Sequence, residues 1–303
     1  MSVVAVGAVR SCGATTVALG LAATWPSHRH VVLVEADPAG GTLAAAAGFP
    51  AEPSLVSLAA AVRHTDAVEL AIAHTHALPG GSPVLTAPAT AEQSERAIAL
   101  LTRLLGHLGE LEDDVVLDCG RLGPLAAEMI NRPADDGPAR TNTERLLAAD
   151  VPVIVTRPQL PDLHALGGFL DHPRLTTARR DGRIRLALVG DGPYADGEIT
   201  EVLGVPVVAH LPFEAGTARA LATTSADARE LRRAPLVREL RSFAASLAGP
   251  TTDSGMEPCA SDIAPLAART ISRFRPFARA GSPSAEPVTT NGAHPNGTSG
   301  ALQ

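Results

Sequence analysis

Short apolar runs rich in valine alternate with helix-like segments from residue 3 to about residue 249 of this 303-residue chain. This alternation predicts right-handed β-α-β units and an α/β fold with a doubly wound, mainly parallel sheet. Aromatic residues make up only 3% of the chain, so Ala, Val and Leu must build the core, which suits strands covered by helices on both faces. The predicted strands are 3–7, 31–35, 83–87, 114–118, 151–156, 184–189 and 206–211. The predicted helices are 15–25, 54–63, 90–108, 141–149, 159–170, 197–203 and, with a break, 215–247.

The loop after the first predicted strand has the layout of a phosphate-binding loop. Residues 3–16 read VVAVGAVRSCGATT, an apolar strand followed by small residues and by a Thr pair that opens a helix. In a Walker A loop, G-x-x-x-x-G-K-[ST], backbone N–H groups and the helix N-terminus hold phosphates. The pattern falls here on Ala8, Gly13, Ala14 and Thr15, so the first glycine and the lysine are both alanine. No other lysine can replace it, because all 25 Lys and Arg residues of the chain are arginine.

Carboxylates end two further predicted strands. The segment VVLVEADPAGG (31–41) carries Glu35 and Asp37 just before a Pro-Gly turn, and DDVVLDCG (113–120) ends its apolar run with Asp118. Ligands of doubly wound sheets lie beyond the carboxyl ends of the strands. Phosphate-loop enzymes use carboxylates at such ends to hold Mg²⁺ through water and to position an attacking water.

In order and spacing these three elements resemble the MinD/ParA family of deviant-Walker ATPases. In that family the loop reads K-G-G-x-G-K-T-T, the second strand ends D-x-D-P-x-G and the Walker B strand ends in Asp. The resemblance spans residues 1–249 and includes VPVIVTRP (151–158) and GVPVVAHLPFE (204–214). It implies a P-loop NTPase domain over 1–249 in which ATP or ADP is bound by Arg10, Ser11, Cys12, Gly13, Ala14, Thr15, Thr16 and Asp118. It also implies that Thr15, Asp37 and Asp118 hold Mg²⁺, through water, when a nucleotide binds, and that Asp37 is the catalytic carboxylate if the chain is active.

The chain departs from the family where the nucleotide is held. The family's signature lysine falls on Val9 and its phosphate lysine on Ala14. Each loss removes charge that stabilises the transition state of phosphoryl transfer. Glu35 replaces the first Asp of the D-x-D pair, and Gly190-Asp191 stand where the family has a purine-reading Asn. Efficient hydrolysis is therefore not expected, and binding of ATP or ADP with Mg²⁺ is expected to be weak or absent.

Arg10 leaves two alternatives open. Its planar guanidinium suits phosphate and could substitute for a lysine. However, a bulky side chain stands badly where the loop must approach its ligand closely, which favours a side chain that points to solvent or pairs with Glu35 or Asp37.

Composition limits the partners and the compartment. A net charge of −7 argues against non-specific DNA binding and against bulk affinity for anionic membrane. Cys12, Cys119 and Cys259 follow no disulfide or metal-ligand spacing and suit a reducing compartment. No basic segment precedes the apolar N-terminus, and no apolar run approaches the length of a membrane span. A cytoplasmic location is predicted.

The last segment, 250–303, differs from the rest of the chain. It is rich in Pro, Ser, Thr and Gly without apolar periodicity, and it is predicted to be a disordered tail. Within it, LAARTISRFRPFARAG (266–281) interleaves arginines with Phe274 and Phe277 and contains no acid. Such a segment could contact a membrane surface or a partner. Pro276 interrupts any helix there, so an unstructured arginine-rich tail is the competing interpretation.

The resemblance implies a positioning or scaffold protein with a degenerate nucleotide site. Branches of the family with eroded Walker A loops resemble TadZ/CpaE proteins, which localise pilus or secretion assemblies beside a secretion ATPase; cell-pole or septum placement is the related role. The alternative is an active ParA/MinD-type ATPase for chromosome partitioning or septum-site determination that uses Arg10. An enzyme with altered chemistry is a third hypothesis, but the sequence offers no nucleophile–base pair. The apolar Val9, beside Ala8 and Cys12, indicates a homodimer that ATP does not control.

Overall fold

One twisted sheet organises the chain in the computed structural model, which describes residues 2–62, 70–78, 81–106, 112–123, 141–223 and 231–248. The tail 250–303 and its segment 266–281 lie outside the described residues. The strands are β1 (Val3–Ala8), β2 (Val31–Glu35), β3 (His76–Ala77), β4 (Pro83–Leu85), β5 (Asp114–Arg121), β6 (Val151–Thr156), β7 (Arg185–Val189) and β8 (Val207–Leu211). The helices are α1 (Ala14–Thr24), α2 (Leu43–Ala47), α3 (Leu55–Ala61), α4 (Leu70–Ala73), α5 (Ala91–Leu100), α6 (Thr102–Gly106), α7 (Asn142–Ala148), α8 (Leu160–Leu170), α9 (Pro173–Arg180), α10 (Asp196–Leu203), α11 (Ala215–Ala222) and α12 (Pro235–Ala248).

The eight strands follow the order β3-β4-β2-β5-β1-β6-β7-β8. Every pairing is parallel except that of β3 with β4. The predicted doubly wound, mainly parallel sheet is therefore confirmed. This order makes β2, β5, β1 and β6 neighbours, so the segments that follow them meet at one edge of the sheet.

The core lies on both faces of the sheet because successive strand residues point in opposite directions. In β1, Val4 and Val6 belong to the cluster that contains α1 and α12, whereas Ala5 belongs to the cluster on the other face. Gly20 of α1 allows α12 to pack closely, since a Cβ at this position would lie 2.4 Å from Leu240 Cδ1. This packing fixes the axis of α1, and hence the direction of its N-terminus.

The structure differs from the predicted elements mainly in short or polar segments. The two-residue strand β3, the short helices α2 and α4 and the arginine-rich α9 carry too little apolar periodicity to be predicted. The single helix predicted over 90–108 is divided into α5 and α6. The Thr102 hydroxyl donates to the carbonyls of Ile98 and Ala99, each at 2.9 Å, and such back-bonding bends helices. Within the described residues, no helix is both long enough and apolar enough to cross a bilayer.

Candidate functional site

The three predicted elements meet at the carboxyl edge of the sheet. Asp118 of β5 pairs in register with Val6 of β1 on one side and with Glu35 of β2 on the other. The loop 9–13 that leaves β1 therefore lies beside the end of β5, and the end of β2 lies one strand further along the same edge. This places the loop and three acidic residues, Glu35, Asp37 and Asp118, around one region at the N-terminus of α1.

The loop keeps the turn of a phosphate-binding loop but not its cation. Gly13 caps α1 in the left-handed conformation, with φ 93°, and no side chain caps this helix. Glycine adopts such a φ without the steric cost that other residues pay. Ala14 opens the helix with only 7% of its surface exposed. Its methyl group leaves the N-terminus of α1 with backbone N–H donors alone.

The remaining predicted loop residues differ in exposure. Ser11 and Arg10 are exposed, and Thr15 and Thr16 are half-buried. Cys12 is 3% exposed, and its thiol accepts a hydrogen bond from the backbone N–H of Arg157. Burial, and then Asp162, raises the pKa of Cys12. The thiol therefore stays protonated at pH 7. Its hydrogen bond with Arg157 helps to hold the loop in place, and it does not provide a reactive thiolate.

Asp118 is completely buried beneath Thr15. Its Oδ1 accepts the Gly120 N–H at 2.9 Å, and the Thr15 hydroxyl also hydrogen-bonds the carboxylate. Its Oδ2 has no well-formed hydrogen bond to any described residue. Burial raises the pKa of Asp118 to about 7, and the charges of Glu35 and Asp37 add to this effect. An unsatisfied carboxylate oxygen beside a Thr hydroxyl fits Mg²⁺, a hard cation that prefers oxygen ligands.

Asp37 lies directly against the end of β5. A Cβ at Gly120 would stand 2.0 Å from Asp37 Oδ2, and Gly120 has a φ of +58°. The backbone N–H of Ala39 donates to Asp37 Oδ1 at 2.8 Å, and the Arg121 N–H also donates to this carboxylate. Partial burial raises the pKa of Asp37. The structure thus brings Asp37, Thr15 and Asp118 to one place, although no cluster of three His, Cys, Asp or Glu side chains among the described residues could hold a metal alone.

Glu35 differs from Asp37 and Asp118 because backbone N–H groups donate hydrogen bonds to both of its carboxylate oxygens. Its Oε1 accepts the N–H groups of Thr42 and Leu43, at 2.7 and 3.1 Å, and its Oε2 accepts the N–H of Ala87 at 2.9 Å. Gly41 allows this approach, since a Cβ there would lie 2.5 Å from Glu35 Oε2. Glu35 thereby ties the turn after β2 to the segment that follows β4.

Arg10 pairs with neither Glu35 nor Asp37, contrary to one expectation from the sequence. Its Nε lies 3.4 Å from Asp162 Oδ1 of α8, with 53% of the Arg10 side chain exposed. Asp162 is more than a hundred residues away in sequence, so only the fold brings the pair together. The charge of Arg10 is balanced from outside the loop.

Arg157, immediately after β6, is the residue of this site that the sequence did not reveal. Its Nη2 donates to the Ser11 carbonyl at 3.3 Å, and its guanidinium lies 6.0 Å from the ring centroid of Phe213. The apolar run VPVIVT ends just before Arg157, at a sheet edge where ligands bind, and this position was the available signal.

The side of the loop towards β7 and β8 is a narrow crevice of about 80 Å³, lined among others by Gly13, Thr16, Arg157 and Phe213. This volume corresponds to roughly two or three water molecules. A nucleobase would enter only if Phe213 moved, and 66% of that side chain is exposed. Gly190 stands where the sequence resemblance places a purine-reading Asn, and its carbonyl oxygen lies 3.0 Å from His210 Nε2.

A wider cleft of about 610 Å³ opens on the other side of the loop, beside Asp37. Its walls include Val9, Leu122 and Phe169 together with Glu95 and Arg121. Val9 is partly buried against the core. This cleft gives the loop a mixed apolar and charged surface that a larger partner could cover.

Comparison with known proteins agrees with this geometry at the level of the fold. No model of a protein family matches the chain, and no curated protein matches it. Among solved structures, a ParA family ATPase from Chlorobium tepidum TLS superposes with a TM-score of 0.60 at 18% identity, over 80% of this chain and 98% of that one. The septum site-determining protein MinD from Pyrococcus horikoshii OT3, solved with Mg-ADP, gives 0.58 at 16% identity, over 81% and 96%. Apo McdA from Cyanothece gives 0.50 at 15% identity, over 80% and 99%. The chain therefore has the P-loop NTPase fold of the MinD/ParA ATPases.

Proposed function

We propose that this chain is a MinD/ParA-like positioning or scaffold protein whose nucleotide site is degenerate. The observation that carries the proposal is Ala14, which opens α1 where a phosphate loop needs lysine and is nearly buried. A methyl group cannot neutralise charge that develops on a transferring phosphoryl group. The shared fold with MinD and ParA proteins supports the positioning role.

The groups that would hold ATP or ADP with Mg²⁺ are only partly retained. Thr15 and Asp118 fit Mg²⁺ because a buried, unsatisfied carboxylate oxygen lies beside a hydroxyl. Bound Mg²⁺ would neutralise phosphate charge. Asp37 stands close enough to the end of β5 to orient a water near the same place. We infer weak nucleotide binding that does not lead to efficient hydrolysis.

The proposed cargo is a pilus or secretion-system assembly, or another structure placed at the cell pole or septum. The eroded Walker A loop of this chain resembles the loops of TadZ/CpaE-like proteins, and the expected partner is then a secretion ATPase. Contact of 266–281 with membrane stays a prediction, as do the cytoplasmic location and the lack of non-specific DNA binding.

A homodimer that forms without ATP is part of the proposal. The apolar surface that could form the interface is smaller than the sequence predicted, because Ala8 and Cys12 are only 2% and 3% exposed and cannot contact a second copy. The half-buried Val9 and Phe169, which both line the wide cleft, remain as the apolar surface for a second copy.

The alternative is an active ParA/MinD-type ATPase in chromosome partitioning or septum-site determination. It requires Arg10 to act as the missing lysine. The ion pair between Arg10 and Asp162 counts against this role, because the guanidinium would have to leave a carboxylate before it could serve a phosphate.

Localisation in the native cell separates the two functions. A fluorescent fusion of the full chain is expected to form a focus at a pole or division site, and Asp37→Ala is expected to leave that focus in place. Asp181→Ala, at an exposed carboxylate before the amino end of β7 and away from the candidate site, is the matched control. A diffuse wild-type fusion would contradict the positioning role. A focus that Asp37→Ala abolishes while Asp181→Ala retains it would favour the active ATPase.

A further inference from the structure

Arg10 lies within the loop and Arg157 lies beside it, but of these two arginines only Arg10 is balanced by a carboxylate among the described residues. Arg10 pairs with Asp162. Arg157 contacts a carbonyl oxygen, that of Ser11, and the face of the Phe213 ring. Across the part of the chain that the structure describes, no carboxylate oxygen lies within ion-pair distance of Arg157. Its positive charge is therefore available at the mouth of the loop.

The N-terminus of α1 faces open space next to this charge. A Cβ at Gly13 would meet nothing within 4 Å, and no acidic side chain lies in the first turn of this 11-residue helix. Uncapped N–H groups and the positive end of the helix dipole favour an anion at such a terminus.

A second observation at the same terminus also points to a ligand. Asp118 is completely buried below Thr15, and its Oδ2 lacks a well-formed hydrogen bond within the described residues. A buried polar atom without a partner is costly, and a bound cation would satisfy it. Thr15 and Asp118 would hold Mg²⁺, and a phosphate anion on the loop would accept hydrogen bonds from the N–H groups of α1.

Arg157 is placed to touch such an anion. It lines the narrow crevice together with Gly13 and Thr16, so the guanidinium and the N–H groups of α1 border the same space. Its bond to the Ser11 carbonyl is long at 3.3 Å and involves a neutral acceptor. A charge-assisted bond to a phosphate oxygen is stronger, and the guanidinium fork suits it.

We propose that Arg157 is the phosphate-binding cation of this site and takes the place of the absent lysines. The ligand is a phosphate-bearing anion, either a nucleoside di- or triphosphate or free pyrophosphate, bound with Mg²⁺. The inference deepens the proposed function, on which it rests for the phosphate character of the loop. Arg157 approaches from β6 rather than from the loop itself, so it binds the anion without rebuilding the lysine-dependent hydrolytic site.

Titration calorimetry on the full chain tests the role of Arg157. Wild type, Arg157→Ala, Arg157→Lys and Arg180→Ala are each titrated with ADP, ATP and pyrophosphate in the presence of Mg²⁺. Arg157→Ala is expected to weaken binding by about tenfold or more, the effect of losing one charged hydrogen bond. Arg157→Lys should recover part of the loss because it restores charge but not the fork. Arg180→Ala, at an exposed arginine at the end of α9 and away from the loop, is the matched control and should stay within about threefold of the wild type.

Further readouts distinguish binding from a structural role and identify the ligand. The thermal midpoint of Arg157→Ala without ligand should equal that of the wild type, whereas the stabilisation by ligand should fall. Similar binding of pyrophosphate and ADP would support a phosphate site, and binding of nucleotides alone would support one that also contacts the base at Phe213. Undiminished binding by Arg157→Ala, or no binding of any of the three ligands by the wild type, would overturn the inference. No binding by the wild type would also contradict the weak nucleotide binding inferred above, whereas neither result would contradict the positioning role itself.

Discussion

Asp118→Asn is expected to stabilise the folded chain increasingly as the pH rises, with a gain relative to the wild type of roughly 2–3 kcal/mol between pH 5 and pH 8. Asp118 is completely buried, and its pKa is raised from the ordinary 3.8 to about 7. The folded chain therefore binds this proton more tightly than the unfolded chain does. The stability of the wild type falls as the pH rises from about 4 to about 7, because the buried carboxyl must ionise.

The amide of Asn does not titrate, so the free energy of unfolding of Asp118→Asn does not fall in this way as the pH rises. Its oxygen can still accept the Gly120 N–H, while its NH₂ group occupies the place of Oδ2 at a cost of about 1–3 kcal/mol that does not depend on pH. The pH dependence of the difference, rather than its value at one pH, is therefore the quantity to measure. Urea unfolding at pH 5 and pH 8 gives it. Asp181→Asn, at an exposed carboxylate, serves as control and should change the difference by less than about 0.5 kcal/mol. Equal effects of Asp118→Asn at both values of pH would show that Asp118 ionises normally in the folded chain.

Gly120→Ala is expected to lower the free energy of unfolding by roughly 2–5 kcal/mol. The new Cβ would stand 2.0 Å from Asp37 Oδ2 and 2.1 Å from its Cγ, and the backbone φ of +58° is itself unfavourable for alanine. Asp37 would have to leave the N–H donors of Ala39 and Arg121. The variant is thus expected to disturb the candidate site and the fold together.

Gly182→Ala provides a matched control for this variant. Gly182 has a similar φ of +62°, but a Cβ there would meet nothing within 4 Å. Gly182→Ala should lower the free energy of unfolding only by the cost of placing alanine at a left-handed φ, about 1–2 kcal/mol. Denaturant unfolding of both variants separates the two contributions. Equal losses for Gly120→Ala and Gly182→Ala would contradict the close contact between Asp37 and the end of β5.

The fold was predictable because its signal is local and repeated. Every long parallel strand carries its own apolar run, which is valine-rich in β1, β2, β5 and β6, and the loop after β1 carries a glycine where a left-handed residue is needed. The segments missed, such as β3 and α9, owe their structure to neighbours rather than to periodicity. Residues at the ends of β1, β2 and β5 could be placed together for the same reason, since adjacent parallel strands end at one edge of the sheet.

The partners within the site could not be predicted, because they are set by packing across the fold. Asp162 reaches Arg10 from α8, and Arg157 reaches Ser11 from the end of β6. Nothing in the spacing of these residues distinguishes them from other charges on the surface. Glu35 was interpreted through its family position, whereas its three backbone donors come from α2 and the end of β4.

The most direct test of the central claim is the rate of phosphate release by the purified full chain at saturating ATP and Mg²⁺. Because Ala14 and Val9 stand where the loop pattern of MinD/ParA ATPases, which this loop resembles, has lysines, the rate is expected to equal that of buffer with the same additions. Ala14→Lys provides a variant with the phosphate lysine restored, and it should bind ATP more tightly by roughly 1.5–3 kcal/mol. Turnover by the wild type above about 0.1 per second, lost in Asp37→Ala, would contradict a degenerate site and identify an active ATPase.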